Sequence, residues 1–492
     1  MTTKLALRKF KAISSSVARP AYDRSMLSQG IVHFGVGNFH RAHQAVYLDR
    51  LFNTGKDKDW AIIGAGVLPS DEKMRLMLIE QDFLTTVVEQ SATQSRARIT
   101  GAMMGFLSPE VPVGIINTLA DPRTRIVSLT ITEGGYFIDP ASGVFDSKIP
   151  EIVYDGAHPE KPKTVFGLIV AGLKKRKAAG TQPFTVMSCD NIPHNGVVTR
   201  NAVAGLAKLS DPDLAQWIVD HVSFPNSMVD RITPATGDRE REILAKEFGI
   251  EDAWPVFCED FTQWVLEDKF PAGRPALETV GVQFVPDVTP YENMKIRILN
   301  GGHAVIAYPS GLMDIHFVHE AMASPLILSF LRKVESEEII PVVPPVPDTD
   351  LTAYYQKCEE RFANPKIGDT IRRLCLDGSN RQPKFIIPSI ADRLKAGAGV
   401  TGLALESALW CRYCCGTTES GKAIAPNDPS WERLVSVAKT AKEDPMAWLK
   451  MADIYGEVGK NENFKSRFAE MLKSLWAEGT EKVVGRYVEG KL

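Results

Sequence analysis

The segment YENMKIRILNGGH, Tyr291 to His303, brings a phenol, a carboxylate, an amine, an amide and an imidazole together within thirteen residues. If one α-helix carries it, at about 100° per residue, Glu292, Lys295, Asn300 and His303 fall on an arc of roughly 140°. Such an arc would aim a proton-accepting amine, an amide donor and a proton-carrying imidazole at one pocket. That set suits removal of a proton from a hydroxyl and stabilisation of the oxygen left behind. A solvated polar helix face is the competing explanation, since such faces are common.

The rest of the chain favours chemistry. Glu133 and a glycine pair follow the apolar run SLTIT, Asp190, Asn191 and His194 follow VMSC, and Asp230 and Arg231 close SFPNSMV. A lone Asp or Asn in such a place is more often a turn former or helix cap. Three such clusters, with the lysine segment downstream, point to a shared cleft of the kind that forms at strand ends in open α/β sheets.

A nucleotide site is suggested earlier in the chain. The apolar run IVHFGVG leads into Gly35-Val36-Gly37-Asn38-Phe39-His40-Arg41 and then a helical pattern. Glycines at a strand-to-helix turn let the backbone approach a pyrophosphate, with the helix dipole behind it. Only G-x-G is present, because the third glycine of the usual fingerprint is replaced within FHRAH; the strand before it and the strands after it strengthen the match. Gly35, Gly37, Phe39 and Arg41 are the candidate contacts, although a surface role is equally ordinary for an arginine. After the second apolar run, WAIIGAGVLP, come Asp71 and Glu72, carboxylates suited to a ribose diol and unfavourable to a 2′-phosphate. This favours NAD, while Lys73 and Arg75 close by leave NADP possible.

These groups require a scaffold of two kinds. Strand candidates at 31–37, 60–66, 124–132 and 183–189 alternate with helical patterns, as expected for a parallel sheet covered on both faces. From about Asp287 helical periodicity dominates, and only 339–350 is proline-rich. The expected fold class is α/β: a Rossmann-type dinucleotide-binding domain over 1–286 and a mainly α-helical substrate domain over 287–492. The 492 residues suffice for two or three cores. A formal charge of −3 with mixed signs argues against nucleic acid. No apolar run is long enough to span a membrane and no signal-peptide pattern opens the chain, so a cytoplasmic protein is expected. Seven scattered cysteines suit reduced thiols. The Cys411, Cys414, Cys415 group reads as buried thiols in an apolar helix rather than as a metal or redox site.

Two enzyme mechanisms compete with a lysine base. Tyr291-x-x-x-Lys295 matches the pair of short-chain dehydrogenases, but the match is brief, the chain is nearly twice their usual length and the pair lies far downstream. A zinc alcohol dehydrogenase would need a ligand arrangement that these cysteines and histidines do not display.

The chain resembles the polyol-specific long-chain dehydrogenases over nearly its whole length. The resemblance rests on GVGNFHRAHQAVY, SLTITEGGY, TVMSCDNIPHNG, SFPNSMVDRITP, WVLEDKF and the K-x-x-x-x-N-G-G-H segment, in that order. It implies a Rossmann-type domain, a helical domain and a site without metal. In that family pattern Lys295 is the general base, and Asn191 and Asn300 hold the reacting oxygen. His303 and Asp230 assist in placing the substrate, and Arg373 binds distal hydroxyls. Arg381 stands where relatives often carry lysine, and Glu292 and Glu133 pass protons between the lysine and solvent. The implied activity is reversible oxidation of a sugar alcohol at C2 to a ketose, with D-mannitol and D-fructose as the leading pair, by a monomer. D-arabinitol oxidation and NADPH-dependent reduction of a ketose such as sorbose are the catalytic alternatives. A non-catalytic dinucleotide sensor would keep the glycine turn without needing Lys295, Asn191, Asn300 and His303 together.

Overall fold

The computed structural model describes residues 2–139 and 144–492. It divides into two compact units, Met1–Thr289 and Pro290–Leu492.

In the first unit, five short strands form a parallel sheet: β1 (Gln29–Phe34), β2 (Ala61–Ala65), β3 (Met103–Leu107), β4 (Ile126–Leu129) and β5 (Thr185–Ser188). Their spatial order is β3-β2-β1-β4-β5, and every pairing is parallel. This is the doubly wound Rossmann arrangement, in which the chain reverses direction between β1 and β4 and opens a crevice at their carboxyl ends. β1, β4 and β5 are buried almost throughout, which is why they read as continuous apolar runs. The runs expected at 31–37, 60–66, 124–132 and 183–189 overlap four of the five strands. β3 is only partly buried and carries Gly105 at its centre, which left it without a strand signal.

Helices pack on both faces of the sheet. Val165–Ala179 begins with the Thr164 hydroxyl accepting from the Gly167 amide and ends at Gly180 in the left-handed region. Phe166, Ile169 and Leu173 of this helix lie in one core with Val32, Phe34, Val127 and Leu129. Two antiparallel pairs were not anticipated: Thr85–Gln90 with Ser95–Thr100, and Ser227–Asp230 with Gln263–Glu267. The second pair sets Asp230 at a strand terminus.

The second unit is helical. Its buried centre is helix Thr401–Cys414, which carries Leu405, Leu409, Trp410, Cys411 and Cys414 into the core. All seven cysteines are free thiols. No helix among the described residues is long and apolar enough to cross a membrane.

Candidate active site

In the first unit the glycine turn closes β1. Gly35 has φ +88, and a Cβ there would stand 2.0 Å from the Thr130 carbonyl oxygen, so only glycine fits. The Gly37 amide donates to the Gly35 carbonyl at 2.7 Å. Gly37 itself is exposed, and a Cβ on it would meet nothing closer than 3.9 Å, so the space above its backbone is open to an approaching ligand. This is the cradle that a dinucleotide pyrophosphate needs. Phe39 lies half-buried against the His43 ring, with 4.8 Å between centroids.

Arg41 departs from its expected place. It is fully buried, its Nε donates to the Gly37 carbonyl, Nη2 to Asn38 Oδ1, and Nη1 to the Trp254 carbonyl. It braces the turn from inside and does not face a phosphate. The two acidic candidates after β2 also differ from each other. Asp71 accepts the Val67 and Leu68 amides through Oδ2, capping helix Pro69–Glu80, while Oδ1 takes no part in that cap. Glu72 is gripped by Arg75 through Nε and Nη2 and by the Ser108 hydroxyl. The Glu72–Arg75 pair is self-neutralising, so Asp71 remains as the carboxylate able to address a ribose.

Asp190, just past β5, organises the polar end of the sheet. Its buried carboxylate accepts the Ile131 and Thr132 amides and the Tyr136 hydroxyl. It thereby ties the loop after β4, which carries Glu133, to the loop that carries Asn191. Burial lifts the Asp190 pKa above the usual carboxylate value against those bonds, with the Glu133 charge adding to the rise. Asn195 makes the next link: Nδ2 donates to the Asp190 and Ser227 carbonyls and Oδ1 accepts the Ser227 amide, which anchors the strand ending in Asp230. Asn191 and Glu133 are exposed and Asp230 is buried. Sequence reasoning placed Asp190 in a polar cluster at a strand end without its tying role, and did not single out Asn195.

In the second unit the lysine segment is not one continuous α-helix. Thr289–Met294 is α-helical, Lys295–Asn300 is a π-turn and Gly301–Leu312 is α-helical again. The Gly301 amide reaches back five residues to the Ile296 carbonyl. In an α-helix Lys295 and Asn300 would point about 140° apart. Where hydrogen bonds run from i to i+5, residues five apart stand one above the other, so the π-turn brings the amine and the amide onto one face. Such turns recur at functional sites. Glu292, Lys295 and Asn300 are all buried.

His303, one turn on, stacks on Phe362 with 4.1 Å between ring centroids. Its Nε2 is buried with no hydrogen-bond partner in the described structure. Burial first, and then the charges of Arg373, Arg361 and Arg381, hold its pKa well below the ordinary histidine value, so the ring is neutral. Arg373 is exposed and forms a fork-to-fork pair with Asp369 through Nε and Nη2. Arg381 donates from Nη1 to the Arg373 and Leu374 carbonyls, buttressing the short helix that carries Arg373. The residues close to this group that the sequence did not signal are Arg361, Phe362 and Asp369; all three sit in helical or turn sequence with no motif of their own.

A Rossmann sheet with an open glycine cradle in one unit, and a lysine buried on a π-turn in the other, are the parts of an oxidoreductase of the dinucleotide-dependent class. The comparisons make this specific. The mannitol dehydrogenase Rossmann domain family matches residues 29–279, and the mannitol dehydrogenase C-terminal domain family matches residues 287–476. The chain is 60% identical to a mannitol 2-dehydrogenase of Cereibacter sphaeroides, over 97% of this chain and 100% of that one. A mannitol 2-dehydrogenase of Pyricularia oryzae is 40% identical, over 96% of each chain. Among solved structures, the Pseudomonas fluorescens mannitol 2-dehydrogenase ternary complex with NAD and D-mannitol superimposes with a TM-score of 0.90 at 44% identity, covering 99% of this chain and 100% of that one. A substrate-free D-sorbitol dehydrogenase gives the same TM-score at 35% identity, covering 98% and 100%. The chain belongs to the mannitol dehydrogenase family, whose members are oxidoreductases acting on CH–OH donors.

Proposed function

We propose that this chain is an NAD-dependent polyol dehydrogenase that oxidises D-mannitol at C2 to D-fructose, reversibly. The observation that carries the reading is the end-to-end match, at a TM-score of 0.90, to a mannitol 2-dehydrogenase holding both NAD and D-mannitol. Gly35, Gly37, Phe39 and Asp71 are the residues that would hold the coenzyme, which when bound supplies the hydride acceptor.

Lys295 takes the proton from the C2 hydroxyl as the hydride departs. A buried amine sharing one helix face with an amide donor is placed to take up that proton. Asn191 and Asn300 donate amide N–H groups to the oxygen as negative charge grows there, a stabilisation that brings no net charge of its own. Asp230 and His303 place the polyol, and Arg373, held by Asp369 and buttressed by Arg381, reaches the distal hydroxyls. Glu292 and Glu133 relay the proton from Lys295 to solvent. Every group in this scheme comes from one chain, so the working unit we propose is the monomer, and its free thiols suit the cytoplasm.

Initial rates of NAD and NADP reduction with D-mannitol, D-arabinitol, D-sorbitol and xylitol, and of D-fructose and L-sorbose reduction, test the reading. D-Mannitol with NAD should give the highest kcat/KM. Faster turnover of D-sorbitol, the sugar alcohol named for a 35% identical relative, would overturn the substrate and leave the enzyme class standing. No turnover of any polyol would overturn both.

A further inference from the structure

The third glycine of a dinucleotide fingerprint normally lets the helix after the glycine turn pack closely against the first strand. In this chain that position is His40. Its imidazole lies flat on that of His33, from β1, with centroids 3.4 Å apart and planes 14° apart. The helix therefore rests on the strand through two stacked rings where the usual fold has none. It also runs for only five residues, Asn38–Ala42, before His43 breaks it at φ −121, ψ −88 and a second helix, Gln44–Asn53, begins.

The lower ring is pinned to the glycine turn itself. His33 Nδ1 lies 2.7 Å from Ser128 Oγ, and Nε2 lies 3.1 Å from the Gly35 carbonyl and 3.0 Å from Thr130 Oγ1. Thr130 Oγ1 donates to the same Gly35 carbonyl at 2.6 Å. His33, Thr130 and Gly35 thus form one unit across the β1–β4 switch point. His40 rests on it with both ring nitrogens buried and, among the described residues, without a hydrogen bond of good geometry. The Gln44 side chain and the Arg41 and His43 charges bear on its ring, and its contact with the turn is the flat face it lays on His33.

We infer that His40 is a positioning residue for the coenzyme turn, the stacked His33–His40 pair setting the height of Gly35–Gly37 above the sheet in place of the third glycine. This rests on the proposal that the turn binds NAD. Burial keeps both imidazoles neutral, His33 being pushed down to about 3 and His40 well below the ordinary value, so no charge repulsion opposes the stack. The His33 ring is held at Nδ1 by Ser128 Oγ and at Nε2 by the Gly35 carbonyl and Thr130 Oγ1, which fixes its plane for His40 to lie on.

The test separates flatness from bulk. His40→Leu fills the space without a flat face, and His40→Asn offers a flat amide in less volume. The readouts are the Kd for NADH by fluorescence titration, the melting temperature, and the polyol KM at saturating coenzyme. We expect His40→Leu to weaken NADH binding at least tenfold with the polyol KM unchanged, and His40→Asn to stay within about threefold of the parent. In a His33→Ala background the His40→Leu effect should largely vanish, since the plate it rested on is gone. NADH binding unchanged in His40→Leu, or lost equally in His40→Asn, would overturn the inference. Because the parent enzyme is titrated alongside, a parent that binds no NADH would instead overturn the coenzyme reading beneath it.

Discussion

His303 offers the sharpest test of how the helical unit holds a polyol. Its Nε2 is buried with no hydrogen-bond partner among the described residues, and its ring stacks on Phe362 at 4.1 Å. A substrate hydroxyl seated there would give this nitrogen its hydrogen bond and find its own in return. In His303→Ala the hydroxyl would still leave water but meet nothing, a loss of about 1–3 kcal/mol for a buried unpaired polar group. At about 1.4 kcal/mol per factor of ten, that is a rise of roughly 5- to 150-fold in the polyol Kd or KM. His303→Phe keeps the stack on Phe362 but not the hydrogen bond, and should fall in the same range, whereas His303→Asn should recover part of the loss. There is a second arm. Burial and the three arginines hold the imidazole neutral far below pH 6.5, so the polyol KM should show no inflection near that pH. Steady-state kinetics from pH 5.5 to 9 for the parent and the three variants would decide the matter. An unchanged KM in His303→Ala, or an inflection near 6.5 that disappears in His303→Asn, would refute the reasoning.

Three further outcomes are expected. Lys295→Ala should lose at least about 10²–10⁴-fold in kcat while still binding NADH, with partial rescue by small amines; a crippled Tyr291→Phe beside an active Lys295→Ala would restore the short-chain mechanism. Asp71→Ser should narrow the preference for NAD over NADP while Glu72→Gln changes it little, because Arg75 already neutralises Glu72; the ratio of kcat/KM for the two coenzymes checks this, and a larger shift in the Glu72 variant would contradict it. Glu406 is fully buried, with Oε1 accepting from Gln382, and burial raises its pKa from 4.5 to about 8. The folded state therefore favours the protonated acid, so this stabilisation is complete below about pH 4.5 and lost as pH rises through 8. At about 1.4 kcal/mol per pH unit the loss is on the order of 5 kcal/mol, and Glu406→Gln should flatten it, melting well above the parent at pH 9 but close to it at pH 5.

The legible and illegible parts of this chain divide along a physical line. β1, β4 and β5 could be read because strands buried on both faces must be apolar at every position, a constraint carried locally in the sequence. β3 could not, since a partly exposed strand with Gly105 at its centre carries no such constraint. The helical character of the second unit followed from periodicity, but the π-turn did not. Lys295–Asn300 has no propensity signal that distinguishes a bond to the fifth residue from a bond to the fourth. The glycines that follow it pack against residues far away in sequence: a Cβ on Gly302 would stand 2.9 Å from Glu335 Oε1, and one on Gly301 would stand 3.7 Å from Ile339 Cδ1. Both neighbours come from a second π-turn, Glu335–Ile339.

The same distinction governs the polar residues. Sequence supplies a side chain's chemistry; its neighbours decide whether that chemistry remains available. Arg41, Asp71 and Glu72 were equivalent candidates for the coenzyme until their partners were known. Arg41 is then consumed by carbonyls inside the turn, Glu72 by Arg75, and Asp71 keeps one oxygen outside its cap. Asp190, a candidate by its place at a strand end, and Asn195, which carried no signal, prove to be what binds the loops of Glu133, Asn191 and Asp230 to one another. His303 moves the other way: among the described residues its Nε2 is unsatisfied, and burial keeps the ring uncharged. Unspent hydrogen-bonding capacity in a buried place marks a group able to receive a ligand but does not suffice alone, since His40 has it too and works in the scaffold through its flat face. It becomes visible only when the fold assigns every other group its partner.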